Sequence, residues 1–213
     1  MAVEVTENKT RVLDPGADTA PMVVVYRGLG PEMGKAYAYD TADWMIDQIQ
    51  KALPKEMLNR IIFAVPDDYN HDCDQCIKQA TAVIEKRGGK VGIHSLCGFS
   101  KGGAPVYRNL SRRPWQIVGL IDAVSPSMEG HSDKIVDGYS AKIRCIYGVS
   151  HWGPKPPKDK SPNSYSRGEK VYTKAREFYD HLKSIGAKIT DGDTQGHAEM
   201  PGLFFRKYGA DFL

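Results

Sequence analysis

No apolar run in this 213-residue chain is long enough to cross a bilayer; the longest, residues 22–26 and 116–123, are strand-sized. The first ten residues, MAVEVTENKT, are polar and lack the apolar core of a secretory signal. Nothing in the sequence is therefore expected to insert in or cross a membrane. Charge of one sign is also scarce: 29 Lys and Arg against 26 Asp and Glu leave a formal +3, too mild for a nucleic-acid partner. Cysteine is too sparse for a disulfide framework. Of the four, Cys73 and Cys76 form a single C-x-x-C, while Cys97 and Cys145 sit inside apolar strand candidates. Thiols buried in that way suit a reducing, cytoplasmic compartment. A metal held by Cys73 and Cys76 would need a second ligand pair, and no second C-x-x-C exists. Neither a metal nor a cofactor is expected. The phosphate-binding spacing G-x-x-x-x-G-K-[ST] is missing, which argues against a nucleotide-binding protein, and no internal repeat is visible.

What is present is a regular alternation. Hydrophobic residues at 41% and charged residues at 26% match an ordinary globular protein, and the length suits one well-cored domain. Residues 1–20 are polar, with a turn signal at Asp14-Pro15-Gly16. They are expected to be a loosely ordered arm with at most one weak edge strand, and to serve for docking if the protein assembles. Residues 21–213 are expected to be the domain. Continuous β-branched and apolar runs at 22–26, 60–65, 90–97, 116–123 and 141–148, and a short one at 187–190, read as strands. Helical periodicity lies between them, at 40–53, 71–86, 104–110 and 169–185, stopped near Pro54, Gly88-Gly89 and Gly186. About six strands separated by helices predict a three-layer α/β/α sandwich with a mostly parallel sheet.

The stretch KVGIHSLCGFSKGG, residues 90–103, carries the strongest functional signal. An apolar strand ends at Gly98, presents Ser100, and resumes as a helix after Gly102 and Gly103. Gly98-Phe99-Ser100-Lys101-Gly102 fits G-x-S-x-G, a tight strand-turn-helix that exposes a serine hydroxyl above the sheet. Its glycines are needed where strand and helix pass too close for a β-carbon. At these residues, and over most of the chain from residue 22 onward, the sequence resembles the α/β-hydrolase family. The resemblance implies a nucleophilic Ser100. It also implies a base in the loop after the last strand, where His197 stands in DTQGHAEMPG, and a carboxylate between the two in chain order. It likens Arg27-Gly28-Leu29-Gly30, after the first central strand, to the family's oxyanion loop. Arg27 replaces the usual His there, and the N–H groups of Leu29 and Lys101 would form the hole.

A serine hydroxyl needs an imidazole to accept its proton, and the imidazole needs a carboxylate to hold its tautomer. The family's usual acid position follows residues 141–148, and here that strand runs into Val149-Ser150-His151-Trp152 with no carboxylate. Asp122, closing the preceding strand, is the first candidate, because an aspartate ending an apolar strand is costly to bury without a partner. Asp159 is second, and Asp191 or Asp193 third. For the base, His71, His131, His151 and His181 are weaker candidates and His94, within the strand before Ser100, is expected to be a satisfied structural group; Ser150 and His151 are alternatively expected to line the site. Short connections after Ser100 leave little material for a lid. The resulting expectation is a carboxylesterase-like serine hydrolase acting on a small-molecule or polymer-end ester, thioester or amide, with self-association left open. The alternative is a non-catalytic binding or assembly protein of the same fold, suggested by the vacant acid position and by Arg27.

Overall fold

The apolar runs of the sequence become the central strands of an eight-stranded sheet. The structure is a computed structural model and describes residues 3–28, 41–68, 71–153 and 169–213. Its strands are β1 (Val3–Val5), β2 (Arg11–Leu13), β3 (Thr19–Tyr26), β4 (Ile62–Val65), β5 (Lys90–Phe99), β6 (Val118–Ile121), β7 (Ile143–Tyr147) and β8 (Lys188–Asp191), in the spatial order β1-β2-β4-β3-β5-β6-β7-β8. From β4 to β8 every pairing is parallel, and β1 and β2 add to β4 antiparallel. The fold is the expected three-layer α/β/α sandwich.

Residues 3–20, expected as a loose arm, supply β1 and β2. Each strand is only three residues long, too short to show a period, so its order comes from pairing with a neighbour rather than from its own pattern. Val12 and Leu13 are fully buried against the sheet's two faces, and ion pairs from Arg11 to Asp43 (2.8 Å) and from Arg87 to Asp14 (2.6 Å) fasten the segment to neighbouring helices. The sheet therefore has eight strands where the hydrophobic pattern suggested about six.

Helices α1 (Ala42–Ala52), α2 (Lys55–Leu58) and α6 (Met200–Tyr208) cover one face. The other is covered by α3 (Cys73–Lys86), α4 (Gly103–Asn109) and α5 (Glu169–Ser184). Capping follows the sequence: Thr41 accepts from the Trp44 N–H to start α1, and Asp72 from the Asp74 and Gln75 N–H groups to start α3. Gly88 and Gly186 take positive φ beyond α3 and α5, where a side chain would be strained. The C-terminal residues, which carry no clear period, form α6 and a 3₁₀ turn over Gly209–Phe212, with Pro201 in the first turn of α6. Phe204, Phe205 and Phe212 are fully buried there, each worth roughly 1.5–3 kcal/mol of removal from water.

Successive connections change direction at β3: β4 lies on one side of it and β5 on the other, with α1 and α3 on opposite faces. Open parallel sheets place their crevice at such a point, beyond the carboxyl ends of the strands. Among the described residues, no helix is long and apolar enough to cross a membrane.

Candidate active site

The carboxyl ends of β5, β6 and β7, together with the loop after β8, converge on one buried cluster. Ser100 follows β5 with φ +53, a left-handed conformation that an L-residue adopts only at a cost. Close packing enforces it. A β-carbon on Gly102 would lie 2.5 Å from the Tyr26 carbonyl oxygen and closer still to that of Arg27, and one on Gly98 would overlap the Gly102 carbonyl. The Ser100 carbonyl accepts from the Val124 N–H at 2.9 Å, which ties the turn to the exit of β6. Gly28 packs against it, since a β-carbon there would stand 3.4 Å from Ser100 Cβ. The elbow expected from G-x-S-x-G is thus formed. Ser100 as a whole residue is only 4% exposed.

Asp122 leaves β6 with φ +41, a second strained position, and is completely buried. Its Oδ1 accepts from the Gly148 N–H at 3.0 Å and from Trp152 Nε1–H at 3.3 Å. Its Oδ2 accepts from His197 Nδ1 at 2.5 Å and also from His151 Nδ1. Burial by itself would raise the carboxyl's pKa. The attraction of His197 and the hydrogen bonds from both imidazoles outweigh it and hold the group well below the usual carboxylate range. Asp122 is therefore ionised although water does not reach it.

His197 opens a 3₁₀ turn just before α6 and is 3% exposed. Its ring lies against Phe99, the residue before Ser100, with centroids 4.7 Å apart at a tilt of 31°. Trp152 meets it edge-on at 5.9 Å and His151 at 5.8 Å. An imidazole wedged among aromatic rings has little rotational freedom.

The structure brings Ser100, Asp122 and His197 to one end of the sheet and joins two of them by a hydrogen bond. Leu29 and Asp159 lie outside the described residues. Asp191 and Asp193 bond elsewhere: Asp191 Oδ1 accepts from the Asp193 N–H (2.9 Å), and Asp193 Oδ1 from the Ser150 N–H (2.8 Å). The Lys101 side chain forms a half-buried ion pair with Glu129. Arg27 turns toward the loop after β4, where Nε donates to the Asp67 carbonyl and Nη1 to that of Gly28 (3.3 Å).

His151 is the residue whose part the sequence understated. It occupies the turn after β7, the vacant acid position, and brings a third titratable group to Asp122. The only signal for it was that position itself, a histidine where a carboxylate was sought. Asp122, His151 and His197 present one ligating atom each within 4.8 Å of one another. These atoms already face each other in hydrogen bonds, so the arrangement is that of a proton network.

No family model matches the sequence, and no curated protein matches it. Solved structures do. A siderophore hydrolase, EstB, from Aspergillus nidulans superposes with a TM-score of 0.60 at 10% identity, over 99% of this chain and 93% of that one. An S-formylglutathione hydrolase from Agrobacterium tumefaciens does so at 0.61 and 11%, over 99% and 92%. A lidless α/β serine hydrolase from Xanthomonas campestris gives 0.52 and 12%, over 98% and 93%. The chain has the α/β-hydrolase fold.

Proposed function

We propose that the protein is a serine hydrolase that cleaves an ester, thioester or amide through an acyl-enzyme. Ser100 Oγ attacks the carbonyl carbon while its proton passes to Nε2 of His197, the ring nitrogen opposite the one bonded to Asp122. His197 then hands that proton to the leaving group as the carbon–heteroatom bond breaks. A water molecule, deprotonated by the same imidazole, releases the acid and restores Ser100. Asp122 keeps the His197 proton on Nδ1, which leaves Nε2 as the basic nitrogen. The N–H of Lys101 serves as one oxyanion donor. The second donor, assigned to Leu29 by sequence, lies outside the described residues.

The observation that carries this reading is the 2.5 Å bond between a fully buried, ionised Asp122 and an imidazole packed on the residue next to a strained serine. The strain costs stability, and a catalytic site is where such a cost is retained. The siderophore hydrolase and the S-formylglutathione hydrolase that share this fold add support. A fluorophosphonate probe tests it. A single adduct on the wild type, absent from Ser100→Ala, is the expected result. An unlabelled wild type, or labelling that survives the substitution, overturns it. The non-catalytic alternative draws on Arg27, which stands where the family carries His, and an unlabelled wild type would favour it.

A further inference from the structure

The hydrogen bonds of His151 leave no choice of tautomer. Its Nδ1 faces Oδ2 of Asp122, and its Nε2 faces the carbonyl oxygen of Gln195 at 2.7 Å. A carbonyl oxygen only accepts, and so does an ionised carboxylate. Both ring nitrogens must therefore carry hydrogen. We propose that His151 is a positioning residue in the form of an imidazolium at neutral pH, clamping Asp122 to the His197 loop and sharing the carboxylate's charge with the base.

The surroundings agree with a cation. Burial disfavours charge on the ring, yet the hydrogen bond and charge of Asp122, the Gln195 carbonyl and the nearby Asp193 together raise its pKa above the ordinary histidine value. From the other elements packed here, β6 contributes Asp122, and the 3₁₀ turn before α6 contributes His197, 5.8 Å away between ring centroids. α5 contributes Tyr172, which packs on Gly153. Among the described residues, the surroundings thus supply one buried anion, Asp122, and a second carboxylate at the rim, Asp193.

Two consequences follow for the site. The first is mechanical. The His151–Gln195 bond, the Ser150 N–H to Asp193 bond (2.8 Å) and the Gly192 N–H to Tyr147 carbonyl bond (3.0 Å) fasten residues 192–195, just ahead of His197, to β7 and the turn after it. The second is electrostatic and rests on the hydrolase reading above. A fixed cation beside the base disfavours a second protonated imidazole, so it sets where on the pH scale the base becomes available.

Nitrogen-15 NMR of the histidine-labelled protein tests the charge without reference to activity. Between pH 7 and 8, one imidazole is expected to show both ring nitrogens protonated, and this signal should vanish in His151→Gln. A His151 with one unprotonated nitrogen in that range overturns the proposal. Glutamine keeps a donor toward Asp122 and loses the charge. In His151→Gln the acidic limb of the kcat/KM profile for p-nitrophenyl acetate should therefore move up by about one to two pH units. A lower kcat with the limb unmoved would mean a merely structural side chain and would also overturn it. If the wild type takes up no fluorophosphonate, the hydrolase reading fails by itself and the NMR experiment still decides the state of His151.

Discussion

Replacing Asp122 by asparagine separates the folding of this site from its chemistry. The carboxylate accepts four hydrogen bonds, from the Gly148 N–H, Trp152 Nε1–H and the Nδ1 atoms of His151 and His197. An amide can keep its oxygen toward Gly148 and Trp152, which turns its NH₂ toward the two imidazoles. Each imidazole must then accept at Nδ1 and carry its proton on Nε2. His151 can do so and still donate to Gln195, so the network survives with its sense reversed. His197 in that tautomer has no lone pair left for a serine proton. The loss of the charge-assisted bonds should cost about 1–3 kcal/mol of stability, and the wrong tautomer about ten-thousand-fold in kcat. Asp122→Ala gives the contrast. It leaves four buried donors without an acceptor and should lose about 3–5 kcal/mol, a large part of the roughly 5–15 kcal/mol available to a domain. Guanidinium unfolding and p-nitrophenyl acetate hydrolysis on the same preparations measure both effects. An asparagine variant with near-native kcat would refute the role given to Asp122, and an alanine variant as stable as wild type would refute the network.

Other expectations concern packing, pH and thiol chemistry. Gly102→Ala should lower the denaturation midpoint and suppress fluorophosphonate labelling, because its β-carbon would meet the carbonyls of Tyr26 and Arg27, which cannot move independently of β3; a stable, reactive variant would contradict the close packing of the elbow. Asp122, with its pKa lowered in the native state, stabilises the fold above the ordinary carboxylate range of about 4 and loses that effect as pH falls through its native value. His151, with its pKa raised, stabilises it below about 6.5 and loses that effect as pH rises through its native value. Urea midpoints should therefore be highest between about pH 4 and 6.5, and the alkaline decline should flatten in His151→Gln. All four cysteines are free and buried, and burial pushes the thiols of Cys73 and Cys76 up to about 11 and about 12. Ellman's reagent should react with none of them until denaturant is added, and fast native reaction would contradict the packing of α3.

Sequence periodicity was enough for the layers because fully buried parallel strands are continuous apolar runs and their covering helices are amphipathic. The strands at 22–26, 60–65 and 141–148 and the helices at 71–86 and 169–185 lie within a few residues of β3, β4, β7, α3 and α5. β1 and β2 were not legible as a pair. Strands of three residues are too short to carry a period, and the pairing of β1 with β2 and of β2 with β4 gives them order. α6 was hidden by Pro201 and Gly202 at its start, which a first helical turn tolerates and a pattern search penalises.

The candidate site divides in the same way. The glycines around Ser100 announce a tight turn locally, since only a close approach of backbone requires them, and Asp122 was marked by standing at the end of an apolar strand. Which acid bonds His197 depends on strand order, because β5, β6 and β7 must lie side by side before residue 122 can meet residue 197. The state of His151 is more remote still. It depends on a carbonyl from residue 195 and a carboxylate from residue 122 closing on one ring, and hydrogen bonds between distant segments leave no trace in the order of residues.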